Sequence, residues 1–160
     1  MEVIIITKNN HTRESDLKNM ISALLIIAFL LTIVCADFSG SWTLKKALRG
    51  GVPVGVPQGM VELLVVKDLE NGNYNIHIHA ANRINGRMII KKEVSNTTSI
   101  VRFKGVTSTR MKPSRIFAHI ERFLTQSISK MTMVTLKTSG KLIWEGPNTT
   151  AIFIPNNSEK

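Results

Sequence analysis

The chain has 160 residues, 43% hydrophobic and 20% charged, with 21 Lys and Arg against 11 Asp and Glu for a net charge of +10. That is enough apolar chain for one core and too little for several, which excludes general disorder, a multi-span membrane protein, a collagen and a cysteine-stapled mini-protein. The single cysteine is Cys35, so no disulfide, zinc–thiolate cluster or cysteine nucleophile is expected after it.

Residues 1–19 are an extension of mixed charge. Residues 20–36 then carry no charge at all and read as a secretory signal: Lys18 is the positive flank, an apolar run follows, and Val34-Cys35-Ala36 supplies small residues for cleavage. Asp37 is the expected mature N-terminus, and Met20 is an alternative start. The run is also at the short edge of a membrane-spanning helix, which needs roughly 17–25 residues, so a signal-anchor is the alternative. Three bases and three acids precede Asp37, so the domain keeps the whole +10.

From residue 37 to 155, short strand-like runs alternate with turn signals. Ser41 to Lys45 opens with Trp42 and Leu44 on one face. Arg49 to Gly59, dense in glycine and proline, reads as loop. Val61 to Lys67, a turn at Glu70-Asn71-Gly72-Asn73, and Tyr74 to Ala80 read as a hairpin. Its second strand puts Tyr74, Ile76, Ile78 and Ala80 on one face and Asn75, His77 and His79 on the other. A second turn is expected at Asn82 to Gly86, with Gly86 at positive φ and Asn82 closing an Asx turn. Strands follow at Arg87 to Val94 and Ser99 to Lys104.

Ser114 is a good N-cap for a helix to Ile128, whose apolar stripe is Ile116, Ile120, Phe123, Leu124 and Ile128; Arg115, His119, Arg122 and Gln126 face outward. Strands at Met131 to Thr138, Lys141 to Trp144 and Thr150 to Ile154 finish the domain, and 156–160 is a polar tail. Strands, one helix, then strands make an α+β domain with an antiparallel sheet. Trp42, Trp144 and Phe153 are expected in its core.

This order of motifs resembles the META domain family, the HslJ-like proteins. The residues that carry the resemblance are Gly40 and Trp42 in the opening strand, Asn82 and Gly86 after a strand, Ser108, Thr109 and Met111 before the helix, and Glu121, Phe123 and Leu124 within it. The two cysteine positions of the family pattern hold Ala81 and Pro113. The resemblance implies a curled antiparallel β-sheet, approaching a cracked barrel, with the helix packed across its opening. It further implies a small exported or surface-associated protein, in a family linked to stress tolerance and host interaction. It carries over no catalytic residues.

The residues themselves announce no enzyme: the carboxylates have no recognisable acid–base spacing, and nucleophile-elbow, P-loop and zincin patterns are missing. No cofactor is expected. His77 and His79 share a strand face, a spacing that can hold a metal, but no third ligand is identifiable, and no metal is expected. Asn96, Asn148 and Asn156 begin glycosylation sequons. The basic excess points to an anionic partner, lipid or glycan, or to an unidentified protein. Export and the few aromatics argue against nucleic acid. Arg110, Lys112 and Arg115, gathered at the helix start, are the expected anion-binding cluster. A small hydrophobic-ligand or lipid carrier and an unannounced enzyme are the competing readings.

Overall fold

The computed structural model describes residues 20–22, which are helical, and residues 36–156. Most of the signal-like run, the extension 1–19 and the sequon residue Ser158 lie outside the described residues. Among those described, no helix is long and apolar enough to cross a membrane.

Nine strands and one helix follow in order: β1 Gly40–Arg49, β2 Val52–Val54, β3 Glu62–Asp68, β4 Asn73–His79, β5 Arg83–Ser95, β6 Thr98–Ser108, α1 Arg115–Ser127 with a 3-10 turn at Ile128–Lys130, β7 Met133–Leu136, β8 Leu142–Gly146 and β9 Thr149–Pro155. Strands β3 to β9 pair as antiparallel neighbours, and β1 pairs with both β3 and β9. The curled antiparallel sheet with one helix is thus present, and it goes further than curling. The β1–β9 pairing runs from Trp42↔Pro155 to Arg49↔Thr149 and closes eight strands into a ring. Closure removes the free edges that an open sheet would present.

The ring is thinnest between β6 and β7, which are in register only at Thr98↔Thr135, Ser99↔Val134 and Ile100↔Met133. Beyond Ile100, β6 outruns its neighbour, and the 3-10 turn after α1 packs beside it. The helix also reaches the far end of β1: the Arg49 guanidinium sits 5.8 Å from the Phe123 ring centroid.

Strand alternation fills the barrel from within. Tyr74, Ile76 and Ile78 are buried, while the His77 and His79 side chains between them are exposed. The rings of Trp144, Phe103 and Phe153 meet at centroid distances of 4.9 and 5.1 Å, tilted by 47° and 57°, away from the face-to-face sandwich that aromatic quadrupoles disfavour. Trp42 joins the same core. Below them Phe38 packs edge-on against Tyr74, whose hydroxyl donates to the Ala36 carbonyl at 3.2 Å.

Three local expectations need correction. The glycine-rich segment after Arg49 is not all loop: Gly50 and Gly51 both take positive φ, +57° and +80°, the backbone of a tight two-residue hairpin, and β2 folds back on β1. No turn exists at Asn82 to Gly86. The chain reverses at residues 80–82, and β5 already begins at Arg83. Ile116 is 66% exposed; in the first turn of α1 it is Phe117 that packs against the core, and the fully buried positions begin at Ile120.

The β3–β4 turn is held by Asp68, which accepts from the Asn71 side chain at 2.9 Å and from the Glu70 N–H at 3.2 Å. The Asn71 bond first, then the backbone donors and the Arg87 charge, hold this carboxyl below its ordinary value of 3.8. A lowered folded pKa means the turn is favoured above the unfolded value and loses that support as pH falls through the folded one.

Candidate functional site

The polar residues of the family-like motifs converge. Asn82, buried where β4 hands over to β5, accepts at Oδ1 from the Thr109 hydroxyl and the Met111 N–H, each at 2.8 Å. Its Nδ2 donates to the Met111 carbonyl at 2.9 Å. Its backbone N–H donates to Glu121 Oε1 at 2.8 Å, and the Arg83 N–H donates to the Thr109 hydroxyl at 3.0 Å. One amide thus ties the β4–β5 turn to the segment before α1 and to α1 itself. The other Glu121 oxygen, Oε2, is buried without a hydrogen-bond partner.

This arrangement revises the roles expected of single residues. Asn82 bonds across the fold rather than to its own backbone, so it is not an Asx turn. Gly86 does not take positive φ. It sits inside β5 opposite a bulge in β6, between the pairs Asn85↔Thr107 and Arg87↔Lys104. A Cβ there would lie 3.2 Å from the Val106 side chain and 3.4 Å from the Lys104 carbonyl oxygen, so close approach is what favours glycine. Ser108 donates to the Thr109 carbonyl, and the Thr109 hydroxyl to Asn82 Oδ1. Ser114 is the N-cap by position but makes no side-chain cap bond. Phe123 and Leu124 are buried in the core, while Gly40 and Trp42 stand at the start of β1.

Beside this network runs a groove of about 660 Å³ between β6 and α1, lined by Thr107, Thr109, Arg110, Glu121 and Arg122 among others. Arg110, Lys112 and Arg115 are all exposed near the helix start, and Arg110 alone of the three lines that groove. A second hollow of about 470 Å³ lies on the outer wall over β3, β4 and β5, lined by Glu62, Leu64, His77, His79, Arg83 and Asn85. There His77 Nδ1 and Asn85 Oδ1 are 2.8 Å apart. Among the described residues no group of three potential metal ligands comes together. Asn96, Asn148 and Asn156 are exposed.

Residue spacing alone did not reveal two features. Glu121 faces inward with Leu124 and Ile128 at i+3 and i+7, and a carboxylate on an apolar stripe was the available sign of a buried partner. The basic residues of β5 and β6 lie far apart in sequence, and only the strand register unites them.

No protein-family model matches the chain, and no curated protein matches it. Among solved structures it is similar to the NMR structure of a protein from Burkholderia xenovorans, with a TM-score of 0.56 at 18% identity, covering 74% of this chain and 83% of that one. At that identity the shared property is the fold.

Proposed function

We propose that the chain is an exported META-like barrel domain, non-catalytic, that binds an anionic surface outside the cell through its basic side chains. The observation that carries this reading is how the polar groups are used. The motif residues Asn82, Thr109, Met111 and Glu121 bond to one another and hold the fold, whereas Arg and Lys side chains stand exposed at the surface. A molecule with a net charge of +10 attracts polyanions through its long-range field whatever its fold. The carrier alternative asks for an apolar lumen, and here Trp144, Phe153, Met88 and Ile76 fill the barrel interior.

Two measurements test the proposal. Protein recovered from its native host should begin at Asp37; an intact N-terminus in the membrane fraction would replace the cleaved signal with a signal-anchor. On an anionic matrix the protein should be retained at about 50 mM salt and released well before 1 M, as ion-exchange binding requires. Passage through that matrix at low salt, unretained, would refute the binding role.

A further inference from the structure

We infer that the outer wall of the β5–β6 hairpin is the binding face, and that it fits a linear sulfated or carboxylated polysaccharide. The inference rests on the binding role proposed above and locates it. Residues 83–108 contain six bases, Arg83, Arg87, Lys91, Lys92, Arg102 and Lys104, and one acid, Glu93. One hairpin thus carries half of the molecule's net charge.

The register turns these scattered residues into a stripe. Met88 pairs with Phe103, and both are buried, so the flanking pairs point outward. These are Arg87 opposite Lys104, and Ile89 opposite Arg102. Past the irregularity at Lys91, Lys92 lies opposite Ile100, which is 40% exposed. Arg83, Arg87, Lys92, Arg102 and Lys104 are all exposed. The acids beside the stripe are Asp68, whose carboxyl feels Arg87, Glu93, and Glu62, which shares the outer-wall hollow with Arg83. Like charges directly opposite on an antiparallel pair cost stability, so Arg87 facing Lys104 is an arrangement that the fold alone does not favour.

Shape and composition select among polyanions. From Arg83 to Lys92 the stripe extends about 30 Å along β5 at strand spacing. Barrel strands are tilted by roughly 35–45° to the barrel axis, so the stripe winds around a convex wall. A flexible chain can follow such a path, and a flat membrane touches only part of it. Among the described residues every Phe, Trp and Tyr side chain is buried apart from the half-buried Phe117, which leaves the wall no benzene or indole ring on which to stack nucleic-acid bases.

The test uses the full chain with heparin as the probe, titrated at about 50 and 200 mM salt. Three double charge reversals are compared: Arg87→Glu with Lys104→Glu, Lys92→Glu with Arg102→Glu, and Arg110→Glu with Lys112→Glu at the helix start. Each wall pair should weaken binding by about tenfold or more and flatten its salt dependence, and the helix-start pair by no more than about threefold. Equal losses from all three would overturn the inference in favour of diffuse attraction, and a larger loss from the helix-start pair would move the site there. A wild-type chain that ignores heparin would defeat the binding role itself rather than its location. Tighter binding to phosphatidylserine vesicles or to duplex DNA would overturn the choice of polysaccharide. Lys104→Glu alone places opposite charges across the ladder, so it should raise the thermal midpoint while weakening binding; full affinity in that variant would refute the wall.

Discussion

Truncating Phe123 to alanine should destabilise the domain by about 3–5 kcal/mol, the usual cost of emptying a phenylalanine site in a packed core. The ring is 1% exposed and shares the core with Ile120, Leu124 and Ile128, and the Arg49 guanidinium lies over it. Arg122, the next residue, is exposed, and its replacement by alanine should change stability by less than about 0.5 kcal/mol. Urea unfolding of the two variants is the measurement, and equal losses would mean that α1 is held in some other rotation.

Asn82→Ala should cost about 2–4 kcal/mol, since it deprives the Met111 N–H, the Met111 carbonyl and the Thr109 hydroxyl of a partner in a partly buried setting. Asn82→Asp is the sharper variant. It keeps the acceptor for Thr109 and Met111 but turns a carboxylate oxygen toward the Met111 carbonyl, in a network that already contains the Glu121 carboxyl. It should therefore recover little at neutral pH and more in acid, where a protonated side chain can donate again. Unfolding within about 0.5 kcal/mol of wild type for Asn82→Ala would show that water replaces the network.

Much of the fold was legible in the residues because strand alternation is a local signal. The β4 pattern of Tyr74, Ile76 and Ile78 against Asn75, His77 and His79 reads directly as one buried and one exposed face, and the structure has both. The end of α1 was legible for the same reason. What escaped was set by partners distant in the chain. Val52 to Val54 looked like loop because glycine and proline surround it, yet pairing with β1 makes it a strand. Asn82 and Gly86 looked like a turn because Asn and Gly are turn residues, but a partner 27 residues away, Thr109, occupies the amide, and the neighbouring β6 backbone crowds the glycine. The same limit hid the basic wall. Arg87 and Lys104 become neighbours only through the hairpin register, whereas Arg110, Lys112 and Arg115 stand together in the sequence and draw the eye first.

Closure by β1 against β9 also fixes an order of events during synthesis. The ribosome makes β1 first and β9 last, and over a hundred residues separate Trp42 from its partner Pro155. Contacts so distant in sequence are slow to form, because the chain entropy of the intervening loop must be lost before they return anything. Until residues 149–155 emerge, β1 and β8 each lack a neighbour, and the nascent domain offers two adhesive strands to any other unfinished chain. The interval before the last strand arrives is therefore when a chaperone has its opportunity to act.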